Sequence, residues 1–157
     1  MKNNDFYQKM ALLQGKFKPK NPDKYKGDHT NIWYRSGWEL KVMIYFDNHS
    51  QIVEWSNEEE FIPYRCPTDN RIHRYFYDFK IKDINNNVTL IEVKPFNQTQ
   101  PPKNHSNQKK LLTETLTYAK NQAKWQAARK YCQKNNWQFK ILTEYELGLK
   151  KRKISNE

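Results

Sequence analysis

Tyr75-Phe76-Tyr77-Asp78-Phe79-Lys80-Ile81, a polar Asp83-Ile84-Asn85-Asn86-Asn87, and Val88-Thr89-Leu90-Ile91-Glu92-Val93-Lys94 form the stretch on which the fold turns. Aromatic and β-branched runs bounded by Asn and Asp are strand–turn–strand signals. A hairpin centred on Asn85 sets Asp78 directly opposite Glu92. Residues paired across an antiparallel ladder share a face, and like charges there repel. Glu92 and Lys94 are two apart on one strand, so they share that face as well. Two opposed carboxylates with an ammonium beside them suit a hard divalent cation and a phosphate. The segment alone is equally compatible with a solvated sheet face on which Lys82, Glu92 and Lys94 form cross-strand ion pairs. A slip of one residue in register would move every side chain to the other face.

The chain has 157 residues, the size of one domain. Only 36% of it is hydrophobic, but 15% is aromatic, and a few large rings can build much of a small core. Lys and Arg number 28 against 17 Asp and Glu, a net charge of +11 that favours a polyanionic partner. Nucleic acid is preferred to a membrane, because the chain has no long apolar run and no strongly amphipathic basic helix. Charge alone is also consistent with a merely soluble basic protein. Cys66 and Cys132 form no Cys-x-x-Cys pair, and His29, His49, His73 and His105 are scattered, which argues against structural zinc. Met1 to Asp5 has no apolar signal core. The expectation is a reduced, intracellular protein with free thiols.

Around the hairpin the chain reads as follows. Residues 1–33 form a basic arm in which Gly15 to Gly27 interleaves cations, aromatics and prolines. That composition favours an extended segment lying on a surface. It is either a flexible solubilising arm or a tracker of phosphates, with Phe17 or Tyr25 touching bases or the domain. Residues 34–149 form the domain body. Ser36-Gly37-Trp38-Glu39 fits a capping box opening a helix from Gly37 to Asn48, whose apolar face is Trp38, Val42, Tyr45 and Phe46. Glu39 either caps that helix or points inward as an acidic partner of Asp78 and Glu92. Strands follow at Ile52–Trp55, at Phe61–Cys66 before a turn at Pro67–Asn70, at His73–Ile81 and at Val88–Lys94, where Pro95 ends the ladder. A loop from Phe96 to Asn107 leads into a helix over Lys109–Lys134, with Leu112, Leu116, Ala119, Ala123, Ala127 and Tyr131 at helical spacing. A strand at Gln138–Leu142 and a short helix at Glu144–Leu149 precede a basic tail, 150–157, that includes Lys150 to Lys153. The long helix lets the last strand join parallel to its neighbour. The expected class is α/β or α+β: a mixed β-sheet flanked by helices, in the order αβββαβ.

With Asp78 on the second core strand, Glu92-Val93-Lys94 on the third and Glu39 on the preceding helix, this order resembles the PD-(D/E)xK restriction-endonuclease-like nucleases. The position of Glu39 is like that in their TnsA-type members. Tyr34-Arg35-Ser36-Gly37-Trp38-Glu39, Arg74-Tyr75-Phe76-Tyr77-Asp78-Phe79, Ile91-Glu92-Val93-Lys94-Pro95, Thr99-Gln100-Pro101-Pro102 and Lys124-Trp125-Gln126-Ala127-Ala128 together resemble the head-completion nucleases of T-even-type tailed phages, over roughly residues 15–145. Tyr77 stands where the superfamily motif has Pro. The resemblance implies Asp78 and Glu92 as metal ligands, Lys94 as the catalytic lysine, Glu39 as a helix-borne acid, and Mg²⁺ as cofactor with Mn²⁺ able to substitute. It implies double-stranded DNA as substrate, phage portal or head-completion proteins as partners, and the host cytoplasm or virion head as location. Lys16, Lys18, Lys20, Lys24, Lys26, Arg35, Lys120 and Lys124 are the candidate contacts to the DNA backbone. A non-catalytic protein of the portal vertex and a TnsA-like transposon-end nuclease are the rival readings.

Overall fold

A computed structural model describes residues 9–152. Its hairpin has the register read from the sequence: Phe79 faces Ile91 and Lys80 faces Leu90. One further step along that ladder brings Asp78 level with Glu92. The elements in chain order are β1 (Gly15–Phe17), β2 (Ile32–Tyr34), α1 (Gly37–Asn48), β3 (Ile52–Asn57), β4 (Phe61–Arg65), β5 (Ile72–Phe76), β6 (Phe79–Asp83), β7 (Val88–Val93), α2 (Gln108–Lys134) and β8 (Gln138–Leu142). The central sheet has the order β3-β6-β7-β8. Its first two pairings are antiparallel, and β8 joins β7 in parallel after the crossover through α2.

Strand β7 is buried on both faces, which is why its sequence is nearly continuously apolar. Ile91 turns toward α1, where Val42, Met43, Phe46, Trp55 and Phe79 form one core. Leu90 turns toward α2 and packs with Tyr75, Tyr77, Trp125, Ala128 and Cys132. Edge-to-face rings, such as Phe46 on Phe79 with centroids 5.5 Å apart, fill the first core. The mixed α/β architecture of the sequence reading is the one found.

Four local expectations are corrected. The strand expected over His73–Ile81 is broken at Tyr77–Asp78 into β5 and β6. β5 pairs only with β4, in a separate ribbon, and β6 pairs with β3 and β7. The Asp78 carbonyl accepts from the Glu58 N–H and the Asn57 amide instead of continuing a ladder. On α1, Met43 rather than Tyr45 completes the buried face, and Tyr45 is exposed. On α2 the fully buried residues are Asn121, Trp125, Ala128 and Cys132; of the expected series, Ala123 and Ala127 pack against this core, while Leu112, Leu116 and Tyr131 are exposed. Residues 144–149 are turns, not a helix. There the Glu146 carboxylate accepts the Thr143 N–H and the Glu144 carboxylate accepts the Phe96 N–H.

The segment ascribed by composition to an arm is part of the folded body from Gly15 onward. Tyr25 and Ile32 are core residues, and Phe17 packs edge-on to Trp55. Asp47, fully buried on α1, accepts the N–H groups of Lys20 and Asn21. The first eight residues and the tail from Lys153 lie outside the described residues.

Ser36 opens α1 by accepting the Glu39 N–H at 3.2 Å. Ser36→Ala should cost about 1 kcal/mol, the usual worth of an N-cap. In a chain of this size that is roughly 2–4 °C in a thermal melt. An unchanged melting temperature would mean that the cap contributes nothing.

Candidate active site

The break between β5 and β6 sets Asp78 on an irregular backbone beside the end of β7, where Glu92 and Lys94 emerge. Asp78 Oδ2 accepts the Val93 N–H at 2.7 Å, which ties the carboxylate to the neighbouring strand. Glu92 is buried. Its Oε1 lies 3.1 Å from Lys94 Nζ, and its Oε2 accepts the Tyr75 hydroxyl at 2.7 Å. Glu39 reaches this group from the first turn of α1. The structure therefore brings Glu39, Asp78, Glu92 and Lys94 to one end of the sheet.

The electrostatics show that these acids share a site. Burial, then the nearby charge of Glu92, pushes the Asp78 carboxyl well above the usual carboxylate range, and Glu39 adds to the shift. Burial also raises Glu39, with further contributions from Glu58 and Glu92. Crowded carboxylates with a single ammonium in reach carry unneutralised negative charge, which a divalent cation would relieve. All the donors are oxygens, the ligand type that Mg²⁺ and Mn²⁺ prefer.

The two readings of Glu39 meet in one side chain. Ser36 caps the helix, but Glu39 Oε2 accepts the Arg35 N–H at 2.9 Å, not that of Ser36 as a capping box requires. It is thus a partial cap whose charge feels Glu58 and Glu92.

Two neighbours of the site escaped the sequence reading. Glu58 stands in the β3–β4 turn at φ 50°, and its carboxylate meets the Arg35 guanidinium at 2.8 Å. Its carboxyl is raised by burial and, despite Arg35, by the charge of Glu92. No motif marks such a residue, because only the fold brings the turn to the site. Tyr75 is the other. Burial and the Glu92 charge hold its phenol far above the ordinary range, so the hydroxyl remains a donor. Its position three residues before Asp78 reads as an ordinary strand aromatic.

The candidate DNA contacts divide. The Lys24 ammonium donates to the carbonyls of Asp47 and His49 at the end of α1. Lys26 pairs with Glu54 at 3.5 Å, and Lys16 lies 5.3 Å from the centre of the Trp33 ring. Lys18, Lys20 and Lys120 are exposed. Arg35 pairs with Glu58 at 2.8 Å beside the acids, and the Lys124 ammonium lies 5.7 Å from the centre of the Tyr75 ring.

Two other features lie apart from the acidic group. At the turn end of the β4–β5 ribbon, away from Asp78, potential ligand atoms of Cys66, Asp69 and His73 lie within 4.8 Å of one another. Asp69 there already accepts from the Arg71 N–H and contacts His73 at 2.7 Å. A cavity of about 690 Å³ opens between the loop after Lys94 and the first turns of α2, lined by Phe96, Gln100, Pro102, Tyr118 and Asn121 among others. None of the four site residues lines it. Both cysteines are free and buried.

Residues 49–144 match the family described as TnsA-like endonuclease N terminal. Over 135 residues the chain is 38% identical to the head completion nuclease of Enterobacteria phage T4, an alignment covering 83% of this chain and 90% of that protein. Asp78, Glu92 and Lys94 fall inside the matched family segment, and Glu39 lies on its N-terminal flank. With 83% of the chain aligned to that relative, and with Asp78, Glu92 and Lys94 brought together inside the matched segment, the chain belongs to the TnsA-like endonuclease family, in company with the head completion nuclease of phage T4.

Proposed function

We propose that the protein is a metal-dependent endonuclease that hydrolyses phosphodiester bonds of double-stranded DNA during phage head completion. The observation that carries the reading is the half-buried Asp78 carboxylate, tied to the Val93 N–H and level with the buried Glu92, with the Lys94 ammonium 3.1 Å from Glu92. Asp78 and Glu92 would hold the cation, with Glu39 as a further acid. A bound Mg²⁺ or Mn²⁺ supplies positive charge that polarises the scissile phosphate and makes a nearby water more acidic. Lys94 orients the attacking water or neutralises charge developing on the phosphate. Tyr75 and the Val93 N–H fix the two carboxylates, so the site is assembled before substrate arrives. Exposed lysines of the N-terminal segment up to residue 33, Arg35, and Lys120 and Lys124 of α2 hold the backbone.

The head completion role comes from the T4 relative's name and would place the protein in the host cell during assembly, near portal or other head proteins. Among the described residues no helix is long and apolar enough to cross a membrane. The deciding experiment is cleavage of supercoiled plasmid. Nicking or linearisation with Mg²⁺ or Mn²⁺ that stops with EDTA is the expected result. Cleavage indifferent to chelator ends the metal-dependent reading, and no cleavage under any metal leaves a structural DNA- or portal-binding role.

Duplex binding should be strongly salt-dependent and nearly indifferent to sequence, given a charge of +11 and no base-reading motif. Log K should fall linearly with log salt, with slope about −0.9 per neutralised phosphate. Titrations on two unrelated duplexes decide it. A preference of ~1000-fold for one of them reaches specific recognition and removes backbone-only binding.

Glu39→Gln keeps an oxygen to accept the Arg35 N–H and removes the charge. The expected variant melts like wild type and cleaves at least about 100-fold more slowly, the scale of losing one positioned charged group. Wild-type cleavage would return Glu39 to the helix start alone.

A further inference from the structure

We propose that Tyr75 is a positioning residue of the active site, whose hydroxyl sets the orientation of the Glu92 carboxylate and thereby the affinity for the divalent cation. The inference rests on the endonuclease reading and goes beyond it to a residue outside the acid–lysine group.

Glu92 has two carboxylate oxygens and two partners. Lys94 Nζ is 3.1 Å from Oε1, and Tyr75 donates to Oε2 at 2.7 Å. The lysine ends in a flexible stem, so it follows the carboxylate rather than fixing it. The tyrosine is rigid. Its backbone is locked in the β4–β5 ribbon opposite Ile62. Its ring is 3% exposed and packs in the α2-side core with Trp125, Ala128 and Cys132. The Tyr77 ring meets it edge-on at 6.5 Å, and the Lys124 ammonium lies 5.7 Å from its centre. The hydroxyl is therefore a fixed point built from three elements, β5, α2 and the neighbouring ribbon strand, and Glu92 is hung on it. A carboxylate that binds a cation gains affinity when a second group holds its rotamer, and removal of such a group typically costs 10–100-fold in metal affinity or activity.

The geometry also explains why the β4–β5 ribbon is folded back against α2. Strand β5 delivers the Glu92 partner and, three residues on, Asp78 itself. The two carboxylates are positioned by one segment: Asp78 by the break that follows β5, and Glu92 by the hydroxyl within it.

The test compares the full-length wild type with Tyr75→Phe, which deletes one oxygen and keeps the ring. Mn²⁺ affinity is measured without DNA by electron paramagnetic resonance, and plasmid cleavage is followed as a function of Mg²⁺ concentration. Tyr75→Phe should bind Mn²⁺ about 10–100-fold more weakly. Its cleavage should need correspondingly more Mg²⁺ and approach the wild-type rate at saturation, a split that general destabilisation would not produce. Tyr77→Phe, which removes the neighbouring hydroxyl that donates to Glu60, should leave Mn²⁺ affinity unchanged. Wild-type Mn²⁺ affinity in Tyr75→Phe overturns the positioning role while the endonuclease reading stands. Equal weakening in Tyr77→Phe also overturns it, as an effect of packing. A wild-type protein that neither binds Mn²⁺ nor cleaves removes the endonuclease reading and this inference together.

Discussion

Lys94→Ala should lower plasmid cleavage by about 1000-fold or more, the scale of removing a preorganised charge from the site of phosphoryl chemistry. DNA affinity and folding should stay close to wild type. The reason lies in what Lys94 contacts. Its backbone N–H donates to Leu142 and survives the substitution. Its ammonium touches Glu92, which keeps the Tyr75 hydroxyl when the lysine is gone. Nothing in the core depends on the Lys94 side chain, which is about one quarter exposed. Cleavage assays, a filter-binding titration and a thermal melt on the same preparation separate the three effects. A variant that cleaves at the wild-type rate removes Lys94 from the chemistry. One that fails to fold makes it a structural partner of Glu92.

Asp78→Asn should abolish cleavage and, without metal, make the protein more stable. Burial and the neighbouring Glu92 raise the Asp78 carboxyl in the folded state. A group raised on folding favours the folded state below its ordinary value near 4, and that advantage is lost as pH rises through the raised value. At about pH 8 in EDTA the wild type therefore carries a half-buried, repelled charge. Asparagine has no such charge, and its side-chain oxygen can still accept the Val93 N–H. A gain of roughly 4 °C or more in melting temperature is expected, the scale of a little over 1 kcal/mol in a chain of this size. The gap should close toward about pH 4, where the wild-type carboxyl is protonated. Added Mg²⁺ should stabilise the wild type, because a ligand that binds only the folded form shifts the equilibrium toward it. The variant should respond weakly. Melts at the two pH values, with and without Mg²⁺, test every arm. A variant less stable than wild type at pH 8 in EDTA would show that Asp78 serves mainly to tie β6 to β7.

Local pattern made much of this legible. The helix Gly37–Asn48, the strand Gln138–Leu142 and the Phe79–Ile91 pairing follow from a cap, an alternation and a turn centred on Asn85. Those features lie within a few residues of one another, so short-range chemistry decides them. The acid pair and its lysine follow from the same register.

Other features depended on partners far along the chain. The sequence alone runs β5 into β6; the split between them arises where the Asp78 carbonyl meets Asn57 and Glu58, twenty residues away. Leu112 and Leu116 satisfy a helical period as well as Trp125 and Ala128 do. The sheet buries only the latter pair, because α2 crosses it with its C-terminal half. Only the fold brings the Lys24 ammonium to the carbonyls of Asp47 and His49. Glu58 and Tyr75 carry no motif and join the site through a turn and a ribbon. Composition and periodicity determined the mixed fold and the hairpin register that sets Asp78 level with Glu92. Tertiary structure decided which carboxylates share a charge environment and which hydroxyl bonds Glu92, because burial and hydrogen bonding depend on distance in space rather than along the chain.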